Sequence, residues 1–506
     1  MSQDKDIKRP ADAEAENIAV EPTIEAATAP SIESSVSRRR FLGSALGIAA
    51  GVAGAPLLGQ SALSSRAFGP FIARAAEPGQ QKLNVIFVGT GGRAEGHLGL
   101  ADSENCIAYC DVDSSRFGKI KEKAPKADAF TDWRNMMDKH LAKADVVVVA
   151  VPDHSHALPS LRAIHAGKNV YTEKPLTWSI EEARALATAA RQKKVATQMG
   201  NQGHANNGNR LVVEWIRGGV IGDVVEVHTW TNRPIWPQGN LQRELEPLPA
   251  TLNWDAWIGP APMRPFQKHL HSFEWRGWFD FGCGAVGDMG CHTWDQVFWA
   301  MNPDYPTEVE LLEIDEKGTE TFPKRSHFRW TFPAKDKRPG FVAHWYSGGM
   351  KPPIPEEMLN DPTRKKADGS PPTLPDSATM WIGTKGKMLV SGDYAEGGPR
   401  LIPEARMQEV AKAKGLPPQT IPRSPGHMEE FIMASKKQKP WNFPGSNFAE
   451  YSGPLTEVML LGAITEKIGQ VGFKIECDAV KREIKTKEAK AFRQREYRKG
   501  WDLHQV

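Results

Sequence analysis

Cysteine is scarce in this sequence: five in 506 residues, at positions 106, 110, 283, 291 and 477. An odd number without metal-type spacing excludes a disulfide scaffold and a zinc-thiolate cluster. Cys106 and Cys110 fall in an apolar run and read as core thiols. Charge of one sign is missing too. The 64 basic and 61 acidic residues leave a net charge of +3, which argues against a nucleic-acid partner. After residue 75 no run is long and apolar enough to cross a bilayer, so no stable membrane span is expected in a mature chain. No internal repeat is visible. What the chain has in quantity is tryptophan, with 16 residues. Indoles are costly to expose and stack well on sugar rings. Core packing accounts for most of them, and a carbohydrate ligand suits the rest.

The length allows two or three domains. Residues 1–36, rich in Ala, Glu, Asp and Pro, read as a disordered extension. Residues 37–75 read as an export signal. Arg38 and Arg39 precede a Gly- and Ala-rich, weakly hydrophobic run, and Ala73-Arg-Ala75 offers a small-x-small cleavage site. This resembles a twin-arginine signal. A membrane anchor is the other reading, but the run is short and glycine-rich for a span. A periplasmic or otherwise exported location is expected.

The stretch from Lys82 to Glu95 organises the rest of the chain. Val85 to Val88 is a short β-branched run, the mark of a buried parallel strand. Gly89, Gly91 and Ala94 then form Gly-x-Gly-x-x-Ala. The first glycine makes a tight turn and the second lets backbone approach a pyrophosphate. The third small residue lets strand and helix pack closely. A helix after the turn would offer its N–H groups to phosphates. Gly92 and Arg93 lie inside this turn. A second strand ends in Asp111, placed to take the adenosine ribose hydroxyls. Arg116, just beyond, could meet a 2′-phosphate, so NAD and NADP both remain open. Residues 144–151 read as a central strand ending in Pro152-Asp-His-Ser-His156, where open α/β sheets receive ligands. His154 and His156 suit helix capping or cofactor contact better than metal binding. The next strand delivers Glu173-Lys174-Pro175, with Pro175 fixing the turn in either isomer. Ser179-Ile-Glu-Glu182 reads as a capped helix start. The β–α alternation from 83 to 200 is that of a doubly wound parallel sheet. We therefore expect a nucleotide-binding domain over 82–203.

In Gly89-x-Gly91, the 145–151 strand with Pro152 and His156, and Ala-Gly-Lys-Asn-Val-Tyr-Thr-Glu-Lys-Pro175, the chain resembles the glucose–fructose oxidoreductase, inositol dehydrogenase and rhizopine-catabolism (Gfo/Idh/MocA) family. The similarity covers most of the chain after about residue 83. It implies a C-terminal α+β domain, here 204–506, with an open, mostly antiparallel sheet. One sheet face would pack on helices and the other is often used for dimer contact. It also implies a cofactor site at Gly89, Gly91, Gly92, Arg93, Ala94, Asp111, Pro152, His156, Glu173 and Lys174. The expected partners are a small carbohydrate and further copies of the chain, as a dimer or tetramer.

In the second domain the residues from Phe279 to Asp295 carry the chemistry. Asp288 and His292, four apart, share one face of a helix. An acid beside an imidazole can fix its tautomer and raise its basicity, which suits a group that takes a hydroxyl proton. Asp288 as a helix cap, His292 as a core histidine, and a metal set of Asp288, His292 and Asp295 are the competing readings; no metal is expected. The family pattern Asp-x-x-x-His matches here. By resemblance His292 is the general acid/base, Asp288 its partner or a substrate ligand, and Lys174 the group polarising the reacting oxygen. Gln202, His204, Arg210 and Arg276 are candidate substrate contacts. The Pro-rich stretch 352–375 reads as a flap or exposed loop, and the basic tail 481–499 as a solvated helix or an arm onto a neighbouring subunit. The chain thus reads as an exported NAD(P)-dependent oxidoreductase acting on a secondary alcohol of a sugar or polyol, with its cofactor tightly bound. An NAD-dependent glycoside hydrolase working by transient sugar oxidation is the first alternative. A non-catalytic sugar-binding protein is the second.

Overall fold

Short β-branched runs build the first sheet: β1 (Asn84–Val88), β2 (Asn105–Cys110), β3 (Asp128–Phe130), β4 (Val146–Val149), β5 (Asn169–Thr172) and β6 (Thr197–Met199). In the computed structural model, which describes residues 81–366 and 368–503, these strands lie in the order β3-β2-β1-β4-β5-β6. All pair in parallel. The expected extension and export signal, 1–75, lie outside the described residues. Alternation sends Ile86, Val88, Val147, Val149 and Val170 to one face. There they meet Met136, Leu161 and Leu186 from the helices Trp133–His140, Ala157–His165 and Ile180–Lys193. Val85, Phe87, Val146, Val148 and Tyr171 fill the other face. Each fully buried Val or Phe contributes about 1.5–3 kcal/mol of transfer free energy. The capping box at Ser179 is present: its side chain accepts from Glu182 N–H, and the Glu182 carboxylate accepts from Ser179 N–H.

The second sheet has nine strands. They are β7 (Val224–Trp230), β8 (Glu308–Asp315), β9 (Arg325–Phe332), β10 (Phe341–Tyr346), β11 (Ala378–Gly383), β12 (Gly386–Ser391), β13 (Pro399–Ile402), β14 (Lys474–Asp478) and β15 (Glu483–Ile484). Their order is β13-β12-β11-β7-β10-β9-β8-β14-β15. Pairing is antiparallel except between β7 and β10, which run parallel. Val227, Phe328, Trp330, Ala343, Trp345 and Trp381 face the helices Gly284–Thr293 and Gly453–Ile468. Gly462 allows that approach, since a Cβ there would lie 2.5 Å from the Phe328 ring.

Two expectations need correction. The Pro-rich stretch is not simply exposed. Its Met358 and Leu374 are buried with Trp230, Tyr346 and Met380 against the outer face of the second sheet, because that face carries apolar residues in need of cover. The basic tail is helical and solvated only over the short stretch Lys487–Lys490. It folds back on its own chain: Tyr497 donates to Glu182 at 2.9 Å, Arg498 Nε to the Gly259 carbonyl at 2.9 Å, and Trp501 stacks under Arg134.

Candidate active site

The turn after β1 can only be built with glycine at its start. Gly89 has φ +94°, and a Cβ there would lie 2.2 Å from the Ala150 carbonyl oxygen at the end of β4. Gly91 passes under Arg116, whose side chain a Cβ would meet at 2.5 Å. The close, bare backbone is the cradle that a dinucleotide pyrophosphate needs. Asp111, at the end of β2, accepts hydrogen bonds from the Thr90 and Gly91 amides at 2.9 and 3.2 Å and so fixes the turn. Arg116 pairs with Asp113 at 3.6 Å. The segment after the turn differs from expectation. Gly92–His97 is a 3₁₀ segment, and the short helix Leu100–Ser103 comes later. Arg93 and His97 are drawn down from it onto the buried Glu173, at 3.1 and 2.6 Å. Burial pushes the Glu173 carboxyl up, but Arg93 and His97 outweigh it and hold the group well below the usual carboxylate range.

Glu173 leaves β5, and the Lys174–Pro175 peptide bond after it is cis. Lys174 reaches across to the second domain. Its Nζ donates to Asp288 Oδ1 at 2.5 Å and to the Asp288 carbonyl at 3.1 Å. Arg276 Nε donates to the same Oδ1 at 3.2 Å, while its guanidinium lies over the Trp275 ring. Burial opposes ionisation of Asp288, yet Lys174 and Arg276 bring its carboxyl down to about 2. One turn on in the Gly284–Thr293 helix, His292 is buried, with its ring 4.6 Å from that of Tyr394. Its Nδ1 has no hydrogen-bond partner among the described residues. Burial, reinforced by Lys174, pushes the imidazole well below its ordinary value, so it is neutral at pH 7.

These groups line one cleft of about 420 Å³ between the two sheets. Gly89, Gly91, Gly92, Arg93, Asp111 and Pro152 lie along it, as do Glu173, Lys174, Gln202, Arg276, Asp288 and His292. Trp236, Trp257, Phe273 and Trp275 form its aromatic wall. Five candidates lie elsewhere, among them His154, buried with Nε2 2.9 Å from the Trp257 carbonyl. Ala94 is buried behind the turn, where its small side chain serves packing. His156 has each ring nitrogen against a main-chain carbonyl, of Pro175 at 2.8 Å and Val151 at 2.7 Å, and its one N–H donates to whichever it faces, so the ring sits between two turns rather than in the cleft. His204 points away, stacked on Trp299 with Nδ1 3.0 Å from Asp295. Arg210 is buried beside Glu430. The pairing of Asp288 with His292 is only part of the picture: the carboxylate is taken by two cations, and although Asp288 favours the imidazolium, burial and Lys174 outweigh it. Asp295 bonds Asn201, His204 and Tyr451, so it does not form a metal set with Asp288 and His292.

Two cleft residues carried no signal of their own in the sequence. Asp153 sits between Pro152 and His154, accepts from the Cys283 amide at 3.2 Å, and is raised by burial to about 7 despite Arg276 and Lys174 nearby. Tyr394 arrives from the loop between β12 and β13.

Residues 83–201 match the oxidoreductase family with an NAD-binding Rossmann fold, and 209–329 match the C-terminal alpha/beta domain of the same family. An alpha-N-acetylgalactosaminidase of Shewanella oneidensis is 25% identical over 207 residues, 38% of this chain and 44% of the relative. A levoglucosan dehydrogenase of Pseudarthrobacter phenanthrenivorans is 26% identical over 201 residues, 38% and 42% of the two chains. The chain thus spans less than half the length of these relatives. The WlbA dehydrogenase of Chromobacterium violaceum, solved with NADH and UDP-GlcNAcA, has the same fold, with a TM-score of 0.52 and 18% identity over 79% of this chain and 97% of that one.

Proposed function

The chain belongs, over 83–201 and 209–329, to the Gfo/Idh/MocA oxidoreductase family, and from that premise we propose that it is an NAD(P)-dependent oxidoreductase acting on a secondary alcohol of a sugar, polyol or sugar derivative. The observation that carries this is the meeting of Lys174 from the first domain with Asp288 and His292 from the second, in the cleft that the glycine turn opens. Gly89, Gly91 and Asp111 hold the dinucleotide, which when bound supplies a two-electron acceptor for the alcohol carbon. Lys174, oriented by Asp288, donates to the reacting oxygen. His292, neutral because it is buried, takes the hydroxyl proton. Arg276 and the Trp236, Trp257 and Trp275 rings hold the sugar, offering one polar anchor and flat apolar faces. In the same reading the protein is exported by the twin-arginine route, keeps its cofactor tightly bound and works as a homo-oligomer.

The test is to offer purified protein a panel of hydroxylated compounds and record which one reduces the cofactor. Sugars and polyols should do so, and simple secondary alcohols should not. Reduction by none of them would sink the reading. A redox glycosidase is the second reading, favoured by the 25% identity to the alpha-N-acetylgalactosaminidase. It predicts release of the leaving group from a glycoside with no net change in cofactor redox state.

A further inference from the structure

Away from the cleft, the outer face of the second sheet brings three metal-binding side chains to one point. Strand alternation places Glu226 and His228 on the same face of β7, and the parallel register sets His344 of β10 opposite His228. Glu226 Oε1 lies 3.0 Å from His228 Nε2 and 3.3 Å from His344 Nε2. The three ligand atoms lie within 4.8 Å of one another. Ligand atoms around tetrahedral zinc, with bonds of about 2.0–2.1 Å, are ~3.3 Å apart. Two of the three separations are already of that size, and the third is no more than 4.8 Å.

The far side of each imidazole is also engaged. His228 Nδ1 is 3.0 Å from the Tyr346 hydroxyl, and His344 Nδ1 is 2.9 Å from His327 Nε2. The His228 and His344 rings stack at 4.7 Å, interplanar angle 18°. Metal-ligating histidines are oriented in this way, by a partner on the nitrogen that does not bind the ion. Both imidazoles are nearly buried, while the Glu226 side chain is 39% exposed and opens the point to solvent. Two imidazole nitrogens and one carboxylate suit zinc better than magnesium or calcium, which prefer all-oxygen shells.

We propose that Glu226, His228 and His344 form a binding site for one zinc-class divalent cation, with Tyr346 and His327 as positioning residues. The ion ties the parallel pair β7 and β10 at the middle of the sheet, and water completes its shell. The competing arrangement is metal-free, with both Nε2–H groups donating to Glu226.

The experiment uses the untagged full chain, loaded with zinc sulfate, dialysed and analysed for bound metal. Wild type should retain about one zinc per chain. His228→Ala and His344→Ala should lose it, and His327→Ala should bind about 10–100-fold more weakly. Zinc should raise the melting temperature of wild type and not of the two ligand variants. NAD binding should be the same in all of them. Should an alanine variant fold poorly, Glu226→Gln keeps the side-chain shape and is expected to lose zinc likewise. A wild type that retains no zinc, or no more than Glu226→Gln, overturns the site in favour of the metal-free network.

Discussion

His292 is the residue whose chemistry depends most on its surroundings. A neutral imidazole can accept a proton, and it stays neutral here because burial and the Lys174 charge both oppose a cation. On the proposed mechanism, His292→Ala and Lys174→Ala should each lower turnover by about a hundredfold or more. Nucleotide binding should survive, since the glycine turn is untouched; tryptophan fluorescence titration with NAD reads it. A His292→Ala enzyme that loses NAD but turns over normally when saturated would remove that side chain from the chemistry. The pH profile has a definite sign. Activity is lost as pH falls through the lowered pKa of His292, so the acid limb of kcat/KM should lie well below pH 6.5. Asp288→Asn removes the negative charge that favours the imidazolium, and should move that limb to still lower pH. A limb above 6.5, or a shift upward in the variant, would contradict the assignment. The sequence marked Asp288 and His292 through their spacing, and the family resemblance carried by the Glu-Lys-Pro turn added Lys174. It did not show that Lys174 would claim Asp288, because that contact joins residues 114 apart in the chain. Nor could it separate Gln202 and Asp153, which line the cleft, from His204 and His156, which do not. A turn of uncertain geometry leaves side-chain direction open.

At the scale of elements, the strands were the most legible part, since four-residue apolar runs between glycines and prolines have few other structures open to them. The segment after the glycine turn was less so. Its 3₁₀ form follows from Arg93 and His97 both reaching Glu173, a partner supplied by β5. The glycines themselves should respond unequally. Gly89→Ala places a methyl group against the Ala150 carbonyl at φ +94°, and should cost on the order of 3 kcal/mol or more while abolishing NAD binding. Gly92 has φ +58° with open space around it, so Gly92→Ala should lose only about 1 kcal/mol. Denaturant melts of the two variants check the contrast, and equal losses would refute it. The Gly453–Ile468 helix carries a second measurable feature. Glu466 is buried with Ser326 as its hydrogen-bond partner, and burial raises its carboxyl to about 8. The folded protein therefore keeps a proton that the unfolded chain releases above its usual 4.5, and stability declines as pH rises from there towards 8. Glu466→Gln should melt above wild type at pH 8, by on the order of 1–3 kcal/mol, with little difference at pH 5. The same gap at both pH values would mean that packing, not the proton, separates the two proteins.

For the whole molecule, the connections that matter are long-range and left no local trace in the sequence. Met428 and Phe431 return from the far end of the chain to cover β1 and β4. The tail clasps Glu182 of the first domain and Gly259 of the second. Residues 251–253 also cross back to the segment that follows β2 and Asp111: Asn253 N–H donates to the Val112 carbonyl at 2.7 Å, and Ser114 N–H to the Thr251 carbonyl at 3.0 Å. Farther along the chain, Trp257, His271 and Phe273 line the cleft together with Asp111 and Val112. A wall of this kind bears on the proposed export. A compartment outside the cytoplasm supplies little free NAD(H), and an exported oxidoreductase that released its cofactor would stop after one turnover. A route that carries folded proteins allows the nucleotide to be loaded first. Retention then has to come from the protein, and segments of the second domain laid across the edge of the nucleotide cradle are a means of slowing release. The expected result is that mature protein purified without added nucleotide, then denatured, yields NAD(H) or NADP(H) in nearly stoichiometric amount. Turnover should leave that nucleotide in its starting redox state, through a second substrate or through oxidation and reduction of one bound sugar. Replacing Arg38 and Arg39 by Lys should hold the protein in the cytoplasm with its nucleotide still bound. An empty protein that works only with NAD supplied continuously, or a double-Lys variant exported as usual, would defeat this account and leave an ordinary dehydrogenase that exchanges its cofactor freely.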